Sequence, residues 1–189
     1  MNGDRLKRAR EIRGWTQSEM AELVHVSQAA IARMEQGLLD PSESLLYQIA
    51  LATGFPESFF LQENTVDFPA GSLMFRQHRT ITSRDRSQVL QTAWAAYVLF
   101  DHMARRLKIM PLRLPRVDHE DVQSGAILTR NALGVEPEVP IRNLINKLEK
   151  AGVVVIAIPL DIHGHDGFSM WAGNKRPVMV LSWGKPGDR

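Results

Sequence analysis

Helix start and stop signals alternate so closely along residues 1–65 that only short helices fit between them. Thr16 and Glu19 have the spacing of a capping box, in which each side chain bonds the other residue's backbone N–H, so a helix begins at Gln17. Ser27 caps the next helix, and Asp40-Pro41-Ser42 opens another. Glycines of the kind that end helices in the left-handed conformation stand at Gly14, Gly37 and Gly54. The pattern predicts five helices and no strand in this part of the chain.

The apolar positions of these helices predict one shared core, because residues three and four apart fall on the same helix face. The first helix covers about residues 4–13, and the last is a single turn from Pro56 to Leu61. The predicted inward-facing residues are Leu6, Ala9 and Ile12 in the first helix, Met20, Leu23 and Val24 in the second, and Leu46, Ile49 and Ala50 in the fourth.

Beyond a loop at residues 68–71, the chain changes to one long helix and then to a small mixed segment. Apolar residues alternate at spacings of four and three from Val89 to Leu107, which predicts a helix from about Arg84 to Lys108, closed off by prolines at 111 and 115. Two further helices are expected near Glu120–Leu133 and Pro140–Lys150, stopped by Gly134 and Gly152. The strands are expected at Val153–Ile158 (a buried strand), around Phe168–Trp171 and at Val178–Ser182, the last two joined through Gly173-Asn174.

Charge and composition divide the chain and exclude several classes of protein. The net charge of +2 hides balances of −3 in residues 1–65, +6 in residues 66–117 and −1 in residues 118–189. We take these segments as a helical domain, a basic connector that dimerises, and a C-terminal part. The absence of cysteine excludes disulfide scaffolds, Cys-based zinc fingers and thiol nucleophiles. The longest apolar run, Ala93 to Phe100, is far too short for a membrane span, so we expect a soluble cytoplasmic protein.

The second and third helices, separated by Val24-His25-Val26, have helix-turn-helix spacing. The pattern Thr16-Gln17-x-x-Met20-Ala21-x-x-Val24-x-Val26-Ser27-Gln28-x-x-Ile31-x-Arg33-x-Glu35-x-Gly37, then Pro41 and Leu46-x-x-Ile49-Ala50, resembles the Cro/C1-type (XRE) family of regulators over about residues 4–61. The resemblance implies a five-helix, lambda-repressor-like DNA-binding domain whose third helix, residues 27–36, enters the major groove. His25 stands where the family usually has a glycine with positive φ, and Leu38-Leu39 replace a loop that is often basic.

Side-chain chemistry assigns roles to the outward positions of this motif. Gln28 can pair bidentately with adenine, Ala29 and Ala30 can touch a thymine methyl, and Arg33 can reach guanine or phosphate. Glu35 is expected to make an internal contact, because phosphate would repel it. The full set of predicted DNA-binding residues is Arg13, Thr16, Gln17, Ser27, Gln28, Ala29, Ala30 and Arg33, with auxiliary phosphate contacts expected from Arg76, His78, Arg79, Arg84 and Arg86.

Residues 118–189 resemble the start of an ImmA/IrrE-type domain, which has a zincin-like metallopeptidase fold. The resemblance rests on Leu148-Glu149-Lys150-Ala151-Gly152-Val153-Val154-Val155, Asp166-Gly167-Phe168-Ser169-x-Trp171, Arg176-Pro177-Val178-x-Val180-Leu181 and Pro186-Gly187-Asp188-Arg189. The family's zinc-binding His-Glu-x-x-His does not occur, since His119-Glu120 is followed by Gln123 at the second histidine position. His163 and His165 lack an evident third ligand, and Ser169 lacks a nucleophile elbow. We therefore expect no metal, no cofactor and no catalysis from these residues.

The sequence as a whole predicts a mainly α protein with a small α+β C-terminal part: a DNA-binding domain, a long connector helix and an incomplete zincin-like domain. We expect a homodimeric transcriptional regulator of double-stranded DNA, acting as a repressor, whose C-terminal part binds a small effector or a protein. Three alternatives remain. The protein is a zinc-peptidase-linked regulator if its natural chain continues past Arg189. It is an antitoxin-like or phage-immunity protein if it binds a partner as well as its own promoter. It is a scaffold if the helical bundle has lost DNA binding.

Overall fold

A computed structural model describes residues 1–63, 74–77, 82–107, 110–115, 121–136, 138–158, 165–172 and 176–182. The chain forms two compact units. Unit 1 comprises Met1–Asp67 and Arg79–Ala95, and unit 2 comprises Phe68–His78 and Ala96–Arg189. The structure thus has two units where the sequence suggested three segments, because residues 66–117 are shared between the two units.

Unit 1 contains the five predicted short helices, which are α1 (Gly3–Ile12), α2 (Gln17–Leu23), α3 (Gln28–Glu35), α4 (Glu43–Thr53) and α5 (Glu57–Leu61). The side chains of Asn2, Thr16, Ser27 and Ser42 accept hydrogen bonds from backbone N–H groups in the first turns of α1 to α4, respectively. The capping box of Thr16 and Glu19 is complete in both directions. The predicted helix boundaries in this unit are therefore confirmed to within a residue or two.

The core of unit 1 lies where α1 to α5 converge. Its fully buried side chains include Leu6, Met20, Ile31, Met34, Ile49 and Phe60. The prediction that Leu23 faces inward is wrong, since half of its surface is exposed. The buried face of the seven-residue helix α2 is formed by Met20 and Ala21, with Val24 directly after the helix. Leu23 lies outside that face.

The first half of a long helix, α6 (Ser83–Ala104), completes unit 1. Trp94 is buried there, with the Arg8 guanidinium 4.3 Å from its ring centre and the Arg5 guanidinium at 5.0 Å. Burial lowers the pKa of both arginines. The Gln88 amide donates to the Ile12 carbonyl at 3.0 Å. Helix α6 ends four residues before the predicted Lys108, which lies outside the described residues.

Unit 2 contains a four-stranded sheet and two helices. The helices are α7 (Val122–Ala132) and α8 (Leu144–Lys150), and the strands are β1 (Met74–Gln77), β2 (Val154–Ile158), β3 (His165–Ala172) and β4 (Arg176–Ser182). The strand order is β1-β3-β4-β2. The predicted pair β3 and β4 is antiparallel, with Phe168 opposite Val180, and β2 runs parallel to β4, with Ile156 opposite Val180. The side chains of Phe168, Met170, Val178 and Val180 are buried.

Three features of unit 2 differ from the sequence prediction. Strand β1 was not expected, because its strand structure depends on pairing with the distant β3 rather than on a local pattern. Strand β2 lies at the edge of the sheet and is only partly buried, whereas a buried strand was expected. Helix α8 begins at Leu144 rather than at Pro140, since Asn143 adopts a left-handed conformation. The predicted loop at 68–71 and the Gly173-Asn174 link lie outside the described residues.

None of the helices in the described ranges has the length and apolarity that crossing a membrane requires.

Candidate DNA-binding surface

The turn between α2 and α3 sets the position of the predicted recognition helix. Val26 N–H donates to the Ala21 carbonyl at 3.0 Å, and Ala21 is buried where the two helices meet. His25 has φ of 55°, which confirms the positive φ expected where the family has glycine. An L-residue in this conformation costs about 1 kcal/mol, and histidine is among the residues that tolerate it better. Ile31 and Met34 anchor α3 to the core, which leaves its other face outward.

Glu35, at the end of α3, forms a buried ion pair with Arg10 of α1. The Arg10 Nε lies 2.6 Å from Oε1 and its Nη2 lies 3.1 Å from Oε2, while its Nη1 donates to the Trp15 carbonyl at 2.7 Å. The two side chains are only 10% and 5% exposed. The expectation that Glu35 makes an internal contact is confirmed. Its partner Arg10 was not singled out by the sequence, although a cation next to Leu6 and Ala9 on an inward face is an available sign of a buried pair.

A chain of hydrogen bonds extends from this ion pair to the surface. The Gln17 Nε2 donates to Glu35 Oε2 at 2.8 Å, and the Gln28 Nε2 donates to Gln17 Oε1 at 2.7 Å. A carboxylate only accepts hydrogen bonds, so the NH2 end of the Gln17 side chain must face Glu35. The Oε1 of Gln17 then faces the surface, where it accepts from Gln28. That oxygen in turn orients the Gln28 amide. The hydrogen bonds therefore connect a buried charge to an exposed side chain, through Arg10, Glu35, Gln17 and Gln28 in that order.

The Gln28 side chain keeps the groups that base recognition requires. A primary amide has two N–H donors and one carbonyl acceptor, and only one N–H of Gln28 is used by Gln17. The remaining N–H and the oxygen form the donor and acceptor pair that matches N7 and N6 of adenine. Ala29 and Arg33 are exposed on the same helix, and Ala30 is partly buried.

The other predicted site residues have structural partners. Ser27 and Thr16 are exposed caps whose side chains accept from the N–H groups of Ala30 and Glu19. Arg13 does not join the glutamine network. Its Nε donates to the Thr53 carbonyl at the end of α4, at 2.6 Å.

Charges near the surface are partly neutralised within unit 1. Arg84, at the start of α6, lies 3.1 Å from Glu19, and both side chains are about half exposed. The Thr16 backbone N–H, bonded to this carboxylate, holds the pKa of Glu19 below its usual value, with smaller contributions from the Thr16 hydroxyl and from Arg84. Of the other auxiliary contacts, Arg86 is exposed, whereas the Arg76 side chain, His78 and Arg79 lie outside the described residues.

Residues 6–60 match the HTH_3 helix-turn-helix family. The N-terminal domain is an HTH_3 domain. This match runs from within α1 to within α5 and includes Arg10, Gln17, Gln28 and Glu35 of the network.

Solved structures similar to the chain include an HTH_3 family transcriptional regulator from Vibrio cholerae, with 24% identity and a TM-score of 0.30, over 43% of this chain and 49% of that one. Another is a SinR protein/SinI protein complex, with 22% identity and a TM-score of 0.32, over 57% of this chain and 100% of that one. The chain thus spans about half of the Vibrio cholerae regulator. The comparison with curated proteins found no match.

Proposed function

We propose that this protein is a sequence-specific DNA-binding transcriptional regulator that reads the major groove with α3 of its HTH_3 domain. The observation that carries the proposal is the Gln28 amide, held by Gln17 on an exposed helix face, with one donor and one acceptor that no other described residue uses. An unordered glutamine would lose side-chain entropy on binding, whereas this one is already oriented before it meets DNA.

The neighbouring residues extend the contact on both sides of Gln28. Ala29 and Ala30 fit against a thymine methyl, and Arg33 reaches guanine or phosphate. Gln17 keeps a second N–H for a phosphate oxygen, because only one of its two is used by Glu35. Residues 1–65 carry a balance of −3, so non-specific attraction to DNA is weak and these few polar contacts determine affinity.

A homodimeric repressor is the form of regulator that we propose. One helix-turn-helix reads only a few base pairs, so two copies placed about one DNA turn apart give a site of useful length. Sedimentation or light scattering tests this. A protein that remains monomeric at high concentration contradicts the dimer but leaves the α3 assignment standing.

The experiment that tests the function is selection of bound sequences from random duplex DNA at fixed salt, followed by affinity measurement on the selected site. The variant Gln28→Ala/Arg33→Ala should weaken binding to that site by at least about tenfold, because a good bidentate base contact contributes about 1–3 kcal/mol. Lys7→Ala/Gln48→Ala is the matched control, since it removes one charge and one amide at exposed positions outside α3. Equal affinities of the two variants would eliminate α3 as the reading helix.

Unit 2 remains a candidate ImmA/IrrE-type domain, supported by the succession of α8, Gly152 and β2 that the resemblance implies. The residues present do not fit that family's zinc site. Asp121 caps α7, which begins at Val122, and His119-Glu120 precede it outside the described residues. A His-Glu-x-x-His pair needs both histidines on one helix, and Gln123 stands at the second position. We expect no peptidase activity from this chain and no zinc-dependent rise in its melting temperature. A clear rise would overturn that expectation.

A further inference from the structure

We propose that unit 2 contains a binding site for a small organic phosphate or polyphosphate, in a cleft between α7, α8 and the segment around Arg113. The cleft has a volume of about 530 Å³, which is in the range of small-molecule sites. Its polar lining consists of Arg113, Arg142, Asn143, Asn146, Lys147 and Lys150. These side chains carry four positive charges, and among the residues that the structure describes no carboxylate lines the cleft.

Helix α8 presents one continuous face to the cleft. Asn146, Lys147 and Lys150 are spaced by one and three residues, which brings them to the same side of α8, and Asn143, directly before the helix, also lines the cleft. Glu149 lies between two of them in sequence but on another face, and it does not line the cleft. The helix and its N-cap residue therefore offer two cations and two amides together, while Glu149 is not among the residues that line the cleft.

The segment that carries Arg113 is fixed against the end of α8. The Arg113 N–H donates to the Ala151 carbonyl at 2.9 Å, and Arg176 Nη1 bonds the carbonyls of Met110 at 2.8 Å and Gly152 at 2.7 Å. A Cβ on Gly152 would lie only 2.6 Å from the Pro111 carbonyl oxygen, so the close approach requires glycine. Arg113 thus reaches the cleft from a backbone that is held in place.

The four cations form no ion pair in the part of the chain that the structure describes. None of its ion pairs includes Arg113, Arg142, Lys147 or Lys150, and the Lys147 ammonium has only a long contact of 3.5 Å to the Leu133 carbonyl. Cations gathered in a concave surface repel one another and attract anions. Arginine adds a planar fork of donors that matches phosphate oxygens, and lysine adds point charges.

The cleft's lining favours a small organic ligand over a DNA backbone. Leu133, Ala132 and Ala151 form an apolar part beside the charged groups, which suits the organic portion of a phosphorylated metabolite. A ligand with two or more negative charges would engage several cations at once, while a neutral analogue would keep only the apolar contact. The proposal does not depend on the DNA-binding function of unit 1.

Isothermal titration of the full chain at 0.15 M salt tests the site, with inorganic pyrophosphate, ATP and uncharged adenosine as probes. We expect pyrophosphate and ATP to bind and adenosine not to bind. Arg142→Ala/Lys150→Ala should weaken binding at least tenfold, because each charge-assisted hydrogen bond contributes about that factor. Both residues are exposed, so the fold should be retained. Arg105→Ala/Arg106→Ala is the control, since it removes the same charge from exposed positions of unit 2 outside the cleft.

The outcomes separate the proposal from its competitors. Failure of both phosphates to bind would overturn it, and so would equal weakening by the two double variants, which would indicate diffuse charge attraction. The same variants should bind duplex DNA with equal affinity. A loss of DNA affinity specific to Arg142→Ala/Lys150→Ala, without pyrophosphate binding, would assign the cleft to the DNA backbone and refute the small-ligand site.

Discussion

Replacing Glu35 by alanine should destabilise unit 1 by about 3 kcal/mol, because the buried Arg10 would lose its closest carboxylate and keep only that of Glu11, 3.7 Å away. Breaking a buried ion pair by removing one partner typically costs about 3–5 kcal/mol. The lower end applies here, since Arg10 keeps its hydrogen bond to the Trp15 carbonyl at 2.7 Å. The lost interactions are the two Arg10 contacts at 2.6 and 3.1 Å and the Gln17 contact at 2.8 Å.

Amide hydrogen exchange of the full chain, read by mass spectrometry, is the suitable assay because it reports on unit 1 separately from unit 2. A loss of about 3 kcal/mol corresponds to exchange about a hundredfold faster in the most protected amides of α1 and α3. Glu22→Gln, at an exposed position of α2, is the control and should change stability by less than about 0.5 kcal/mol. Exchange in Glu35→Ala within threefold of wild type would refute the reasoning.

A second variant separates stability from positioning. Arg10→Met/Glu35→Leu removes both charges, and replacing a buried ion pair by apolar residues is often neutral or stabilising, so protection of α1 and α3 should largely return. Gln17 would nevertheless lose the carboxylate that orients it, and Gln28 would lose its fixed partner. Binding to the selected DNA site should therefore stay about tenfold weaker than wild type. Recovery of both stability and affinity would show that the buried charges do not orient Gln28.

Three further predictions concern unit 1. Trp94→Ala should cost about 3–5 kcal/mol in hydrogen-exchange stability of unit 1, since it empties a buried aromatic site; a change below 1 kcal/mol would contradict the packing of α6. His25→Gly should raise stability by up to about 1 kcal/mol and Gly37→Ala should lower it by a similar amount, because both positions have positive φ; melting temperatures shifted in the opposite directions would refute this. Because folding lowers the pKa of Glu19, the ionised carboxylate stabilises the folded state at pH values above its usual pKa of 4.5. This stabilisation is lost as the pH falls through the lower pKa of the folded state. The stability difference between wild type and Glu19→Gln should accordingly shrink below pH 4.5, and a difference that grows on acidification would be inconsistent with it.

Local chemistry explains why the helices of unit 1 were predictable. A cap requires a side chain and a backbone N–H only three residues apart, as in Thr16 and Glu19 or Ser27 and Ala30. A left-handed helix end requires a residue that tolerates positive φ, as Gly37 and Gly54 do. Such interactions are contained in a few consecutive residues, so the sequence alone locates them.

The contacts that position the glutamines were only partly predictable. The motif indicated that Gln28 faces outward, and the repulsion between a carboxylate and phosphate indicated that Glu35 makes an internal contact. That Arg10 is the buried partner, and that Gln17 connects Glu35 to Gln28, depends on α1, α2 and α3 meeting in space. The same limit applies to Arg13. It was predicted to contact DNA because it is close to Thr16 and Gln17 in the sequence, whereas its Nε donates to the Thr53 carbonyl at the end of α4.

The sequence by itself determined the short helices, their caps, the outward face of α3 and the strands β3 and β4, since each depends on residues close together in the chain. Tertiary structure decided the rest. Strand β1 exists through its pairing with β3, the two halves of α6 belong to different units, and the cations of the unit 2 cleft come from segments up to 37 residues apart, Arg113 to Lys150. Such features depend on packing between distant segments, which no local pattern of caps or apolar spacing encodes.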